Sequence, residues 1–198
     1  MTRYTVRDTT EHFRGPLFRV VTDQVEMPDG QVVARDYLHH IGAVGVVALD
    51  EQERVVLINQ YRHPLRRPLW ELPAGLVDIA GEGLPDVAAR ELGEEADLRA
   101  ARWDLLVDVH PSPGVSDELI RIFLARDLSP APRAHVREHE EAGLVVERFA
   151  LDEAVAMVFR GQVTNGAAVA GLLAAARARD AGWAPLRPVD APVPAAPR

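Results

Sequence analysis

The sequence predicts an α/β (α+β) fold, a mixed sheet layered between helices and preceded by an N-terminal antiparallel β hairpin. Three features predict it. Runs rich in β-branched residues come in pairs around turn-forming residues. A proline-initiated helical stretch at 85–96 interrupts the strands. Two further helical stretches close the chain, at about 152–160 and 165–181.

The hairpin comes first. Leu17–Met27 and Gln31–Leu38 flank Met27-Pro28-Asp29-Gly30, where proline presets the turn and Asp and Gly accept its tight end. A second pair is expected at Ile41–Leu49 and Arg54–Tyr61, joined across Asp50–Glu53. The unbroken apolar run of 41–49 suits a strand covered on both faces. Residues 62–83 are rich in Pro and Gly and read as loop. The helix over Pro85–Ala96 can bury Val87, Leu92 and its alanines. Further strands are predicted at Trp103–His110, Leu119–Ala125 and Gly143–Phe149, then helices at Asp152–Arg160 and Asn165–Ala181. The Pro/Ala-rich stretch from Leu186 to Arg198 reads as disordered. The expected organisation is an N-terminal β segment (1–40), a main domain (41–183) and a tail (184–198).

Bulk composition excludes several kinds of function. A chain of 198 residues with 47% hydrophobic and 26% charged residues can build a normal core. Its net charge of −8 disfavours a nucleic-acid binder, which needs clustered cations. Without cysteine there is no disulfide, thiolate metal site or Cys nucleophile. Lysine is also absent, which removes Schiff-base and P-loop lysine chemistry. The start MTRYTVRDTTEHF lacks the apolar core of a signal peptide, and the longest apolar runs are too short to span a bilayer. The expectation is therefore a cytoplasmic protein that engages neither membrane nor nucleic acid.

The chemistry concentrates between Gly75 and Leu98. Glu91 lies three residues from Glu94 and four from Glu95, so a helix projects all three carboxylates to one side. Each like-charge pair at that spacing costs a few tenths of a kcal/mol, with only Arg90 in the helix to offset it. One reading is a solvated acidic face. The other is a site for a hard cation such as Mg2+ (or Mn2+), which takes carboxylate, carbonyl and water oxygens and bridges to phosphates. Gly75, just upstream, allows the close backbone approach that such a site needs.

The pattern from Gly75 through Glu82 to Arg90-Glu91-Leu92-Gly93-Glu94-Glu95 resembles the signature box of the Nudix hydrolases. Two departures stand out: six residues separate Gly75 from Glu82 where the family usually has five, and Asp97 replaces a glycine. Flanking residues resemble the ADP-ribose pyrophosphatase subgroup. They are Gln60-Tyr61-Arg62, Trp70-Glu71-Leu72-Pro73-Ala74-Gly75, and Ser112-Pro113-Gly114-Val115-Ser116-Asp117-Glu118, with Pro113 sixteen residues past Asp97.

This resemblance implies a Nudix-type α/β/α sandwich that hydrolyses a nucleoside diphosphate derivative, most readily ADP-ribose to AMP and ribose 5-phosphate. It implies metal ligation by Glu91, Glu94, Glu95 and the backbone oxygen of Ala74, with Gly75, Glu82 and Arg90 in support. It also implies a catalytic glutamate in the loop before the strand at 143. There Glu141 is preferred to Glu140 as the base for the attacking water. Arg62 is the candidate for the diphosphate, since a guanidinium meets phosphate oxygens at two points. Glu71, Pro113, Gly114 and Glu118 become substrate contacts by resemblance, and a homodimer through the N-terminal segment is expected. Trp70 reads as core, and His39, His40 and His63 as structural or exposed. The alternatives are a Nudix hydrolase for another nucleotide sugar or a dinucleotide, and a non-catalytic nucleotide sensor.

Overall fold

The computed structural model describes residues 4–131 and 143–193. These fall into two compact units: residues 4–42 with His110–Leu119, and Ala43–Val109 with the chain from Ile120 onward.

In the first unit, β1 (Thr5–Arg14), β2 (Phe18–Glu26) and β3 (Val32–His40) form an antiparallel sheet in that order. The predicted hairpin is β2–β3, in register from Phe18↔His40 to Glu26↔Val32. Its turn closes through Gly30 N–H to the Met27 carbonyl (2.9 Å), with Gly30 at φ +85° where a side chain would be strained. β1 was not predicted, because nearly all of it is exposed and it shows no apolar alternation. Cross-strand polar pairs hold it instead. The buried Asp23 accepts from Thr9 Oγ1 (2.6 Å) and Tyr37 Oη (3.2 Å). Segment 110–119 runs beside β3, with Leu38 N–H bonded to the Val115 carbonyl (2.9 Å).

The second unit holds β4 (Ala43–Ala48), β5 (Arg54–Arg62), β6 (Arg67–Glu71), β7 (Ala74–Leu76), α1 (Leu84–Ala96), β8 (Leu98–Val109), β9 (Ile120–Pro130), β10 (Val145–Ala150), α2 (Leu151–Phe159) and α3 (Gly166–Asp180). One sheet has the order β7-β4-β9-β8 and the other β10-β5-β6. Because β4 and β9 are parallel and their other neighbours antiparallel, the larger sheet is mixed.

The expected β4–β5 hairpin does not form: only Leu49 and Val55 bridge, and the two strands lie in different sheets. β4 is apolar on both faces, and a place between β7 and β9 buries both of them. Within 62–83, read as loop, two short strands add edges to the sheets.

Alternation along the central strands makes the sandwich. Val44, Val46, Ala48, Phe123 and Ala125 pack with Val87, Ala88 and Leu92 of α1. Val47, Leu49, Ile122 and Leu124 pack on the opposite face with Leu151, Ala154 and Met157 of α2 and Ala168, Leu172 and Ala175 of α3. Each fully buried Leu or Ile contributes about 1.5–3 kcal/mol. α3 begins where Asn165 Oδ1 accepts the Ala168 N–H (2.9 Å), a cap worth about 1 kcal/mol. α1 ends at Asp97, which takes the left-handed conformation (φ +54°) that a glycine would occupy without strain.

The reading of the last segment as disordered is corrected over its described part. Arg187 exchanges backbone hydrogen bonds with Leu105 (3.0 and 3.1 Å), and Arg121 donates to the carbonyls of Ala191 (2.6 Å) and Pro192 (3.1 Å). Composition flagged the prolines, but it could not show that a buried arginine supplies the donors their carbonyls need. Arg121 also grips Asp108 through two nitrogens (2.7 and 3.2 Å), and Arg187 adds a third contact at 3.0 Å. Burial would raise the Asp108 pKa, but the hydrogen bonds and charges of Arg121 and Arg187 outweigh it and hold the carboxyl below its ordinary value. An acid lowered on folding contributes stability above its unfolded pKa and loses it as pH falls through the folded value. Asp108→Asn is therefore expected to destabilise the protein by about 3–5 kcal/mol at neutral pH, because it leaves Arg121 buried without its countercharge. Urea titrations should show that gap narrowing in acid.

Candidate active site

The site is built where β7 leads into α1. β7 lies against β4 in the register Val44↔Gly75 and Gly45↔Ala74, which fixes the height of the Ala74–Gly75 backbone. Glu95 is buried, and its Oε2 accepts the Ala74 N–H at 2.8 Å. Gly75 passes so close to Glu91 that an added Cβ would lie 2.0 Å from both Cδ and Oε1 of that carboxylate.

Arg90 gathers the acids. Its Nη1 donates to Glu91 Oε1 (2.7 Å) and Glu94 Oε2 (3.2 Å), the latter being the i+4 pair expected on the helix. Its Nε and Nη2 reach Glu82 at 3.3–3.4 Å, and Asp78 Oδ1 lies 3.6 Å from Nη2. Sequence spacing missed Asp78, and Glu82, which precedes the helix, entered only as a supporting residue by resemblance. The one hint was that both acids lie in the loop between Gly75 and α1.

The balance of charge is informative. Burial opposes the Arg90 charge, but hydrogen bonding from Glu82 and attraction to Glu91, Glu82 and Glu94 overcome it and raise the Arg90 pKa. Burial also pushes the Glu91 pKa up, only partly countered by Arg90 and reinforced by Glu94. Arg90 thus lies within 4 Å of four carboxylates, Asp78, Glu82, Glu91 and Glu94, and at Glu91 the effect of burial is only partly offset.

Among the described residues, no three His, Asp or Glu side chains are already gathered as a closed metal cage. Glu82, Glu91 and Glu94 turn toward Arg90 and Glu95 toward the Ala74 N–H. An open, one-sided set of oxygens still fits Mg2+, which keeps several waters and shares its remaining positions with substrate phosphates. The donors are all hard oxygens, the ligand type that Mg2+ takes.

Arg62 on β5 is held by Glu71 on β6 through a two-point pair, Nε to Oε1 at 2.9 Å and Nη2 to Oε2 at 2.6 Å. Glu71 is 2% exposed. The structure therefore shows Glu71 orienting a guanidinium. Trp70 meets Phe149 edge-on at 5.2 Å and packs against the core, in line with its expected role. Pro113, Gly114 and Glu118 lie on the 110–119 segment of the other unit. Glu140 and Glu141 fall outside the described residues.

Residues 39–169 match the family model for the NUDIX domain. The chain belongs to the NUDIX domain family. This NUDIX chain is 44% identical over 188 residues to the ADP-ribose pyrophosphatase of Mycobacterium tuberculosis, covering 94% of this chain and 88% of that protein. It is 35% identical to the methanol dehydrogenase activator of Bacillus methanolicus and 32% identical to the ADP-ribose pyrophosphatase of Bacillus subtilis, each over 74% of this chain and 78% of the relative. A solved structure titled as an ADP compounds hydrolase shares the fold, with a TM-score of 0.75 at 22% identity, covering 92% of this chain and 97% of that one. The resemblance read from the box is thereby shown, and so is the NUDIX α/β architecture. No described helix is long and apolar enough to cross a membrane.

A test of the box geometry follows from Gly75. Gly75→Ala is expected to lower kcat/KM by about 10²-fold, because the new Cβ must drive the Glu91 carboxylate aside, and misplacement by about 1 Å can cost that much. The thermal midpoint should change little, since the displaced group is a polar side chain and the apolar core is untouched. Steady-state kinetics beside a thermal melt separates the two effects.

Proposed function

We propose that this chain hydrolyses the diphosphate of ADP-ribose to AMP and ribose 5-phosphate with the help of a divalent cation, Mg2+ (or Mn2+). The observation that carries the reading is Glu91, whose pKa burial raises with Arg90 offsetting only part of it, pressed against the Gly75 backbone. The 44% identity to a protein named ADP-ribose pyrophosphatase supports the choice of substrate.

Glu91, Glu94, Glu95 and the Ala74 carbonyl would hold the cation, which when bound neutralises the diphosphate and acidifies a water. Arg90, with Glu82, keeps the carboxylates in place. Arg62, fixed by Glu71, meets the diphosphate oxygens. Glu141, with Glu140 as the second choice, takes the proton of the attacking water. Pro113, Gly114 and Glu118 contact the substrate. The chain acts in the cytoplasm as a homodimer joined through its N-terminal strands, where Val6, Phe13 and Val32 are each more than half exposed. Light scattering that finds only monomer at micromolar concentration would remove the dimer.

The test is a panel of ADP-ribose, several nucleotide sugars and dinucleotides, each with and without Mg2+ or Mn2+, in 18O-labelled water. Metal-dependent release of AMP from ADP-ribose, well ahead of the other compounds, is expected. Binding of nucleotide without AMP release would favour a sensor, and faster turnover of another diphosphate would reassign the substrate.

A further inference from the structure

One row across the larger sheet links the acidic box to a buried arginine. Gly75 of β7 lies beside Val44 of β4, Val44 beside Arg121 of β9, and Arg121 beside Asp108 of β8. Residues in such a row point to the same face, with strands about 4.8 Å apart, so Arg121 stands about 10 Å from Gly75. That face is the one α1 covers: Val44, Leu105 and Phe123 pack there with Val87, Ala88 and Leu92. At one end of the row Gly75 leaves room for the Glu91 carboxylate, and at the other Arg121 holds Asp108.

β8 departs from regular geometry to make that pair. Leu105 is opposite Phe123 and Val107 opposite Ile122, so Leu106 is an extra residue, a β-bulge. Leu106 and Val107 both pack on the α2 and α3 side. Asp108 therefore returns to the α1 side, where strict alternation from Leu105 would have turned it away. A bulge interrupts the ladder, and here it re-aims one carboxylate at Arg121.

The chain after α3 completes the clamp. Gly182 and Trp183 take the left-handed conformation (φ +62° and +66°), and the Trp183 ring centroid lies 4.7 Å from Arg126 Cζ. Leu186 packs on the α2 and α3 side, Arg187 pairs with Leu105, and Val189 and Ala191 pack on the α1 side. This strap thus passes round β8, the edge of its sheet, from one face to the other. Arg121, 3% exposed, bonds to Asp108 and to the strap carbonyls of Ala191 and Pro192. It joins β9, β8 and the strap at the end of the sheet that carries Gly75.

We propose that Arg121 is a positioning residue for the acidic box: by fixing its row of the sheet, it holds the Ala74–Gly75 backbone against Glu91. The inference rests on the reading of that box as a cation site. A fully satisfied buried polar network rigidifies its surroundings and selects one arrangement, which apolar packing does less strictly.

The experiment uses the full chain as wild type, Arg121→Met, and the double variant Asp108→Val/Arg121→Met, which removes both charges and leaves no buried ion alone. Leu172→Ala, in the core on the other face, controls for a loss of stability by itself. Mn2+ binding is measured first, by electron paramagnetic resonance without substrate. Affinity is expected to fall about fivefold in both Arg121 variants, less than the roughly 10–100-fold that a direct partner of a ligand costs. Leu172→Ala should bind as wild type does. With ADP-ribose, the Mg2+ needed for half the maximal rate should rise by the same factor, while kcat at saturating Mg2+ returns to the wild-type value. In metal-free protein, the Ala74 and Gly75 amide resonances should shift in both Arg121 variants, and those of Leu69 and Glu71 in the other sheet should stay. An unmoved Gly75 amide would overturn the proposal, as would an affinity no lower than that of Leu172→Ala. So would wild-type affinity in the double variant, since apolar packing would then serve as well. If wild type binds no Mn2+, the cation reading fails, while the Gly75 amide still decides whether Arg121 sets that backbone.

Discussion

Glu91→Gln is expected to lower kcat by about 10³-fold or more while leaving the metal-free protein at least as stable as wild type. The loss follows from removing one charged ligand of the proposed cation, on the order of 4 kcal/mol of transition-state stabilisation. The stability follows from the native environment of the side chain. Glu91 is an acid whose pKa burial raises on folding, with Arg90 restoring only part of the cost. Such a group binds more protons folded than unfolded, so the metal-free protein loses stability as pH rises from the ordinary carboxylate range through the raised value. Glutamine carries no charge to desolvate and can still accept from Arg90 Nη1, now 2.7 Å from Glu91 Oε1. Melts in chelator should show Glu91→Gln at or above wild type at neutral pH and the two converging in acid. Turnover within threefold of wild type at saturating Mg2+ would mean that Glu91 is not a metal ligand.

The second large effect is expected at the proposed general base. Glu141→Gln should cut kcat by about 10²–10⁴, with KM and thermal midpoint close to wild type, because the amide keeps the shape of the side chain but cannot accept a proton. Glu140→Gln serves as the comparison and should cost much less. If Glu140→Gln instead takes the larger loss, the two assignments exchange. If neither variant falls below a third of wild-type kcat, the proton goes elsewhere. Wild-type kcat should decline as pH falls and the base carboxylate protonates, and that decline should vanish from the residual activity of Glu141→Gln.

These two predictions draw on different parts of the chain. Spacing alone put Glu91 on one face with Glu94 and Glu95, because a helix converts intervals of three and four into a common face, and left a solvated acidic face and a cation site both open. Glu141 came from resemblance only, since a short acidic run of sequence has no periodicity to read and the residue lies outside the described structure. Glu71 also came from resemblance only, as a substrate contact, and what the fold adds is that both its carboxylate oxygens accept from Arg62. No local pattern pairs these residues: the β5–β6 register sets Arg62 opposite Arg67 and Glu71 opposite Ile58, and only their side chains close the gap.

By itself, the amino-acid order determined α1, the β2–β3 hairpin, the closing helices and the acidic box, because each follows from interactions within a few residues along the chain. Only the tertiary structure decided that β4 pairs with β7 and β9 instead of β5, that Arg121 ties down the Pro/Ala-rich segment, and that Gly75 presses on Glu91. Those are meetings of distant segments. They are chosen by which arrangement buries both faces of an apolar strand and gives every buried charge a partner, and that sum can be taken only over the whole fold.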